Sequence, residues 1–286
     1  MSATPDPAWV VGVRLLISDT TELHMIGIFD SGLGGLSVMR AIRERLPAAD
    51  LLYLADSAYC PYGPRPIDEI RDRALACGRW LVDHGAHIVV IACNTATAAA
   101  VELLRRTLPV PVVGMEPGVK PAVAATRRGK VAVLATSGTI ASERFRSLVH
   151  AYAADVEVYP LACPDLVEQV EAGELTSEHT RSLILKHLAS APEADVLVLG
   201  CTHFPPLKPL IETCVEPGVV IIDTGPAVAA QTARIAQQIN HPSESGNIRC
   251  VTTGDPAQIA PALHRVWGAP LPLSGVQIEA TDVIIK

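Results

Sequence analysis

Aromatic residues make up only 4% of this 286-residue chain, and lysine occurs five times. So few rings, beside abundant Ala, Val, Leu and Ile, argue against a β-sandwich and for helices packed on buried parallel strands. There is no Lys/Arg cluster and the formal charge is −7. That leaves no electrostatic footprint for nucleic acid or anionic lipid. Long apolar runs are missing as well. The stretch from Trp9 to Ile17 is too short to span a bilayer, contains Arg14 and has no basic segment before it. Neither a membrane partner nor a targeting signal is expected. No Cys-x-x-Cys pair occurs among the seven cysteines, so free thiols in a reducing compartment are the natural reading. Residues 1–24 read as a non-core extension, with the core beginning near Met25.

What the chain does have is 49% hydrophobic residues, enough for one large domain or two small ones. Short apolar runs alternate with longer amphipathic stretches, predicting eight strands: Ile26 to Phe29, Leu51 to Leu54, Ile88 to Ile91, Val112 to Val113, Val131 to Leu134, Val156 to Tyr159, Val196 to Leu199 and Val219 to Ile222. Strands and helices in alternation imply parallel sheets with ligand sites at the carboxyl ends of the strands.

The two halves echo one another. The segment His87 to Thr95 aligns with Asp195 to His203, bringing Cys93 onto Cys201 at an offset of 108 residues, and Ser31 aligns with Thr136 at 105. Several matches at nearly one spacing suggest duplication. The expected fold is α/β, with two pseudo-symmetric three-layer lobes, mostly parallel sheets and a cleft between them. The first lobe would comprise residues 25–116 plus 224–286, and the second residues 117–223.

Each of Cys93 and Cys201 ends a buried strand before small polar residues, a place where backbone N–H groups favour a thiolate. For one such cysteine, a buried apolar thiol is the commoner role. Two at equivalent positions fit a reaction that needs a base on one face of a carbon and an acid on the other. With a reference pKa of about 8.5, one thiol can be ionised while the other is protonated. A zinc site from Cys201, His203 and Cys163 has poor ligand spacing. A Cys/His hydrolase would leave the second cysteine idle, and no lysine with a phosphate cradle supports pyridoxal phosphate. The turn Asp30-Ser-Gly-Leu-Gly-Gly35 lacks a Walker lysine. Its N–H groups suit a carboxylate, or its glycines serve a tight turn alone.

The segments Phe29 to Leu36, Cys60-Pro-Tyr-Gly-Pro-Arg65, Ala92-Cys-Asn-Thr95 and Gly200-Cys-Thr-His203 resemble, in order, motifs of the bacterial glutamate racemase family. That resemblance covers about residues 25–255. It implies interconversion of L- and D-glutamate for peptidoglycan in the bacterial cytoplasm, with no cofactor and no metal. Cys93 would deprotonate D-glutamate and Cys201 the L-enantiomer, assisted by Asp30 and His203 respectively. Asp30, Ser31, Tyr62, Gly63, Asn94, Thr95, Thr136, Thr139, Thr202 and His203 would contact substrate, though Tyr62 could equally pack on Pro61 and the threonines cap helices. A supporting glutamate falls on Glu171, with Glu168 as the alternative on the same helical face. The resemblance further implies a homodimer and leaves a gyrase interaction open. The runner-up function is a relative acting on another substrate such as aspartate, or a non-catalytic binding protein.

Overall fold

The computed structural model describes residues 25–239 and 245–279, so the expected extension at residues 1–24 lies outside the described residues. The first half runs β1 (Met25–Asp30), α1 (Leu36–Arg45), β2 (Asp50–Ala55), α2 (Ile67–Asp83), β3 (Ala86–Ile91), α3 (Asn94–Thr107), β4 (Val112–Val113) and α4 (Val119–Ala125). Then come β5 (Lys130–Ala135), α5 (Ser137–Ala141), α6 (Glu143–Tyr152), β6 (Glu157–Ala162), α7 (Pro164–Glu171), α8 (Glu178–Leu188), β7 (Val196–Leu199), α9 (Lys208–Glu212) and β8 (Val220–Asp223). The chain closes with α10 (Gly225–Gln238), β9 (Ile248–Thr252), α11 (Pro256–Trp267) and β10 (Leu273–Gly275).

Two sheets result, ordered β10-β9-β2-β1-β3-β4 and β6-β5-β7-β8. Every pairing in both is parallel. All eight expected strands form. The internal echo is visible in the topology, because β2-β1-β3-β4 and β6-β5-β7-β8 share one order, with β1 matched by β5 and β3 by β7. Two strands that the sequence reading missed, β9 and β10, extend the first sheet beyond β2.

Strands covered on both faces read as unbroken apolar runs, and β1 is buried at every position. Its side chains nevertheless divide by face. Ile26 and Ile28, with Leu51 and Tyr53, join a core that continues into the second lobe through Leu134, Leu199 and Phe204. Phe29, Leu52 and Val89 pack instead on α2 and α3 through Leu75, Leu81 and Leu104. In the second lobe Val131, Val133 and Val198 pack on Val119 of α4 and Phe145 of α6. Each lobe is thus a three-layer α/β/α unit, and one apolar core passes between the two.

Helix starts reinforce the strand-end geometry. Thr136 caps α5 by accepting from Thr139 N, and Asp255 caps α11 with Pro256 at the first helical position. Gly268, at φ 85°, ends α11 in the left-handed conformation that glycine adopts without a Cβ clash. Among the described residues, no helix is long and apolar enough to cross a membrane.

Candidate active site

The carboxyl ends of β1, β3, β5 and β7 deliver Asp30, Cys93, Thr136 and Cys201 to the same region between the lobes. Ser31, Tyr62, Gly63, Cys93, Asn94, Thr95, Thr136, Cys201, Thr202 and His203 line one tight cavity of about 10 Å³, with Pro61 and Val167. Asp30, Thr139 and Glu171 stand just behind its wall. A roomier groove on Leu185, Leu188 and Val215 is lined by none of the expected site residues.

Cys93 is the N-cap of α3, and its sulfur accepts from Ala96 N at 3.4 Å. Ser31 Oγ lies 4.0 Å from that sulfur. Behind the serine, Asp30 Oδ1 accepts from Ser31 N at 2.7 Å and Ser31 Oγ at 3.3 Å. Asp30 therefore reaches Cys93 through Ser31. Burial pushes the Cys93 thiol well above its ordinary value, the Asp30 charge adds to the rise, and the Ala96 N–H opposes it. The Asp30 carboxyl is itself raised by burial, with His203 acting against that shift.

Cys201 has a different neighbour. Its sulfur is 3.7 Å from His203 Nδ1, and His203 Nε2 is 2.6 Å from Glu171 Oε1. Leu33 N donates to the same carboxylate oxygen at 2.7 Å. Burial alone would depress the imidazole, but hydrogen bonds with Cys201, Cys60 and Glu171 outweigh it and hold His203 well above its usual range. Both ring nitrogens can then carry protons. Glu171, at the end of α7, makes this contact, while Glu168 is exposed.

The glycine-rich turn is dictated by that contact. A Cβ on Gly34 would fall 2.4 Å from His203 Nδ1, and one on Gly32 would fall 2.2 Å from Glu171 Oε1. The turn's N–H groups hold two of the protein's own carboxylates, since Ser31 N and Gly35 N donate to Asp30 and Leu33 N to Glu171. The carboxylate-binding expectation is met internally.

Asn94 is 4% exposed, and neither its Oδ1 nor its Nδ2 has a hydrogen-bond partner. Buried amides are normally paired, so a cavity-lining amide with both ends open is a ready ligand contact. Thr95 Oγ1 meets Thr136 Oγ1 at 2.8 Å and Thr139 Oγ1 at 3.3 Å, joining α3 of one lobe to the start of α5 in the other. Thr202 Oγ1 donates to Asp30 Oδ2 at 3.3 Å, a second link between lobes. The Tyr62 ring lines the cavity, and its hydroxyl takes Asp56 Oδ2 as acceptor at 2.6 Å.

That acceptor belongs to a network the sequence reading missed. Arg73 grips Asp56 with Nη2–Oδ1 at 2.7 Å and Nε–Oδ2 at 3.0 Å, both side chains fully buried, and Thr253 Oγ1 adds a bond at 2.9 Å. Asp56 had a signal, because it follows a buried strand as Asp30 does. Arg73 had none, since a charge on an amphipathic helix reads as solvent-facing. Cys60, whose thiol burial pushes up to about 12, was also overlooked. Cys163, weighed above as a metal ligand, directs its thiol to the Leu161 carbonyl at 3.4 Å.

The sequence profile described as Asp/Glu/Hydantoin racemase matches residues 26–232. A glutamate racemase of Pseudomonas aeruginosa is 47% identical over 254 residues, covering 87% of this chain and 96% of its own length. One from Herpetosiphon aurantiacus is 48% identical over 240 residues, covering 82% and 94%. Among solved structures, Escherichia coli glutamate racemase in complex with L-glutamate and the activator UDP-MurNAc-Ala superposes with a TM-score of 0.81 at 29% identity, covering 90% of this chain and 99% of that one. A Bacillus anthracis glutamate racemase isoform gives 0.80 at 30% identity, covering 90% and 98%. Matched through most of its length by the profile, and by relatives over nearly all of theirs, the chain belongs to the Asp/Glu/Hydantoin racemase family.

Proposed function

We propose that this chain interconverts L- and D-glutamate by a two-thiol proton transfer that uses no cofactor. In the L-to-D direction Cys201, as thiolate, removes the α-proton from one face of the substrate. Cys93, as thiol, delivers its own proton to the opposite face. Product leaves with the two protonation states exchanged, and the reverse reaction or exchange with solvent restores them. His203 and Glu171 hold the charge on the Cys201 side; Asp30, acting through Ser31, orients the Cys93 side. Asn94, Thr95, Thr136, Thr202 and Gly63 bind the carboxylates and amino group, with Thr139 behind Thr95 and Thr136, and the Tyr62 ring forms a wall.

The observation that carries this reading is the placement of two strand-end thiols on one small cavity beside the open Asn94 amide. General acid–base groups each contribute about 10²–10⁴-fold to such reactions. A homodimer in the bacterial cytoplasm, supplying D-glutamate to peptidoglycan, belongs to the same proposal and rests on the resemblance, as do lobe limits at 25–116 plus 224–286 and 117–223.

The test is incubation of purified protein with L-glutamate in deuterated buffer, with no addition. Loss of rotation accompanied by α-deuterium in the product is expected. Inert L- and D-glutamate alongside turnover of aspartate would transfer the mechanism to that substrate; inertness toward all three would overturn it.

A further inference from the structure

Cys60, Glu171 and His203 form a second constellation beside the thiol pair. Their ligand atoms, one sulfur, one carboxylate oxygen and one ring nitrogen, all lie within 4.8 Å of one another. A mixed S, N and O donor set is typical of zinc. At Zn–S near 2.3 Å and Zn–N or Zn–O near 2.1 Å, tetrahedral ligand atoms sit about 3.5 Å apart. The present separations need shifts of only about an ångström to reach that, starting with the His203–Glu171 contact at 2.6 Å, which would open to admit an ion.

Three features shape the position. Gly32 presents a bare backbone where the ligands converge, since a Cβ there would fall 2.2 Å from Glu171 Oε1 and 2.8 Å from Cys60 Sγ. Glu171 is tethered by Leu33 N. An outer groove, lined by Ser57, Cys60, Val167, Glu171 and Gln258 among others, reaches two of the three ligands. A hydrated cation can therefore reach Cys60 and Glu171 through that groove.

We propose that Cys60, Glu171 and His203 form a capture site for a thiophilic divalent cation such as Zn²⁺ or Cd²⁺, with water from the outer groove as fourth ligand. The Cys60 thiol would lose its proton to solvent on coordination, as would the ring nitrogen that binds. The bound ion would draw His203 and Glu171 away from Cys201. Its consequence is inhibition, which rests on the racemase reading; its binding does not.

Zn²⁺ titration by calorimetry and Cd²⁺ titration by ultraviolet thiolate-to-metal charge transfer test the site on the whole chain without substrate. One ion per chain and a single-thiolate band are expected. Cys60→Ser should abolish the band and weaken Zn²⁺ binding at least tenfold. Glu171→Gln should weaken it while keeping the band, and serves alone if the cysteine variant does not fold. Cys93→Ser and Cys201→Ser should bind as the parent does. Unchanged binding in Cys60→Ser or in Glu171→Gln, or loss of binding in either catalytic-thiol variant, overturns the proposal. Zn²⁺ inhibition of glutamate turnover that shifts with Cys60→Ser adds the consequence. An intact site in a chain inert toward glutamate would instead count against the racemase reading.

Discussion

Cys93 and Cys201 occupy matching places in two sheets of the same strand order, yet their surroundings differ in kind. The first thiol starts a 14-residue helix and meets only neutral partners, accepting from the Ala96 N–H and facing the Ser31 hydroxyl, whose own proton goes to Asp30. The second is followed by a short 3₁₀ turn at Pro205–Leu207 and a five-residue helix, too little for a strong helix-terminal field. His203, backed by Glu171, supplies its charge instead. Duplication kept the position of the sulfur and let the means of stabilising it diverge. A racemase needs both sulfurs at comparable proton affinity, and two unlike environments can meet that requirement.

The largest effect tests whether the two sulfurs are equals. Cys93→Ser and Cys201→Ser should each lower racemisation by at least about 10²–10⁴-fold in both directions, read by polarimetry from either enantiomer. Near-parental activity in one variant would break the symmetry and leave that thiol a packing residue.

A second contrast lies one strand away. Parallel register places Ala55 beside Asp30 and Ala162 beside Ala135, so Asp56 and Cys163 are counterparts. In the first lobe that buried position holds a charge gripped by Arg73; in the second it holds an inert thiol. Arg73→Met leaves Asp56 buried and unpaired, which should cost about 3–5 kcal/mol, whereas Cys163→Ala should cost about 1 kcal/mol. Urea unfolding of both variants compares them. Equal losses would show the Asp56–Arg73 pair to be replaceable.

The proton-transfer partners separate more finely. The two enantiomers have equal free energy, so kcat/KM must fall equally in both directions whatever is mutated. Isotope effects escape that constraint. His203→Asn should make transfer at Cys201 more rate-limiting, raising the primary effect with α-deuterated L-glutamate and lowering it with the D-enantiomer. Ser31→Ala should do the reverse. Shifts of the same sign in both variants would refute separate duties for the two neighbours.

Legibility followed the kind of signal each residue leaves. The doubly covered strands β1, β3, β5 and β7 announce themselves as apolar runs, and the repeat places their polar ends together. By contrast β9 contains Arg249 and β10 is three residues, one half-buried and two exposed, so neither has a run to detect. Glu171 was chosen over Glu168 by motif position, and its contact is set by the turn of α7 toward His203. The Tyr62 hydroxyl could not be read, because its acceptor Asp56 arrives from a different strand end. Arg73 is the clearest case: helical periodicity says which face a residue occupies, but only tertiary packing says that Asp56 waits inside.

The mildest contrast concerns the carboxylates that tie each lobe together. Asp56 is buried beneath the first lobe, while Asp195 fastens the turn between α4 and β5, accepting from Arg127 N at 2.7 Å and Arg128 N at 3.0 Å as well as from the Thr126 hydroxyl. Slight burial works against ionisation, but those three donors outweigh it and hold the Asp195 carboxyl below its ordinary value. A depressed carboxyl adds stability above its unfolded pKa of about 3.9. That contribution fades as pH drops through the lower folded value. Asp195→Asn should therefore melt slightly below the parent at neutral pH, with the gap closing as acid is added past pH ~4. A gap that stays constant into acid would mean the turn is held by shape alone, and that the Asp195 charge, unlike that of Asp56, is not structural.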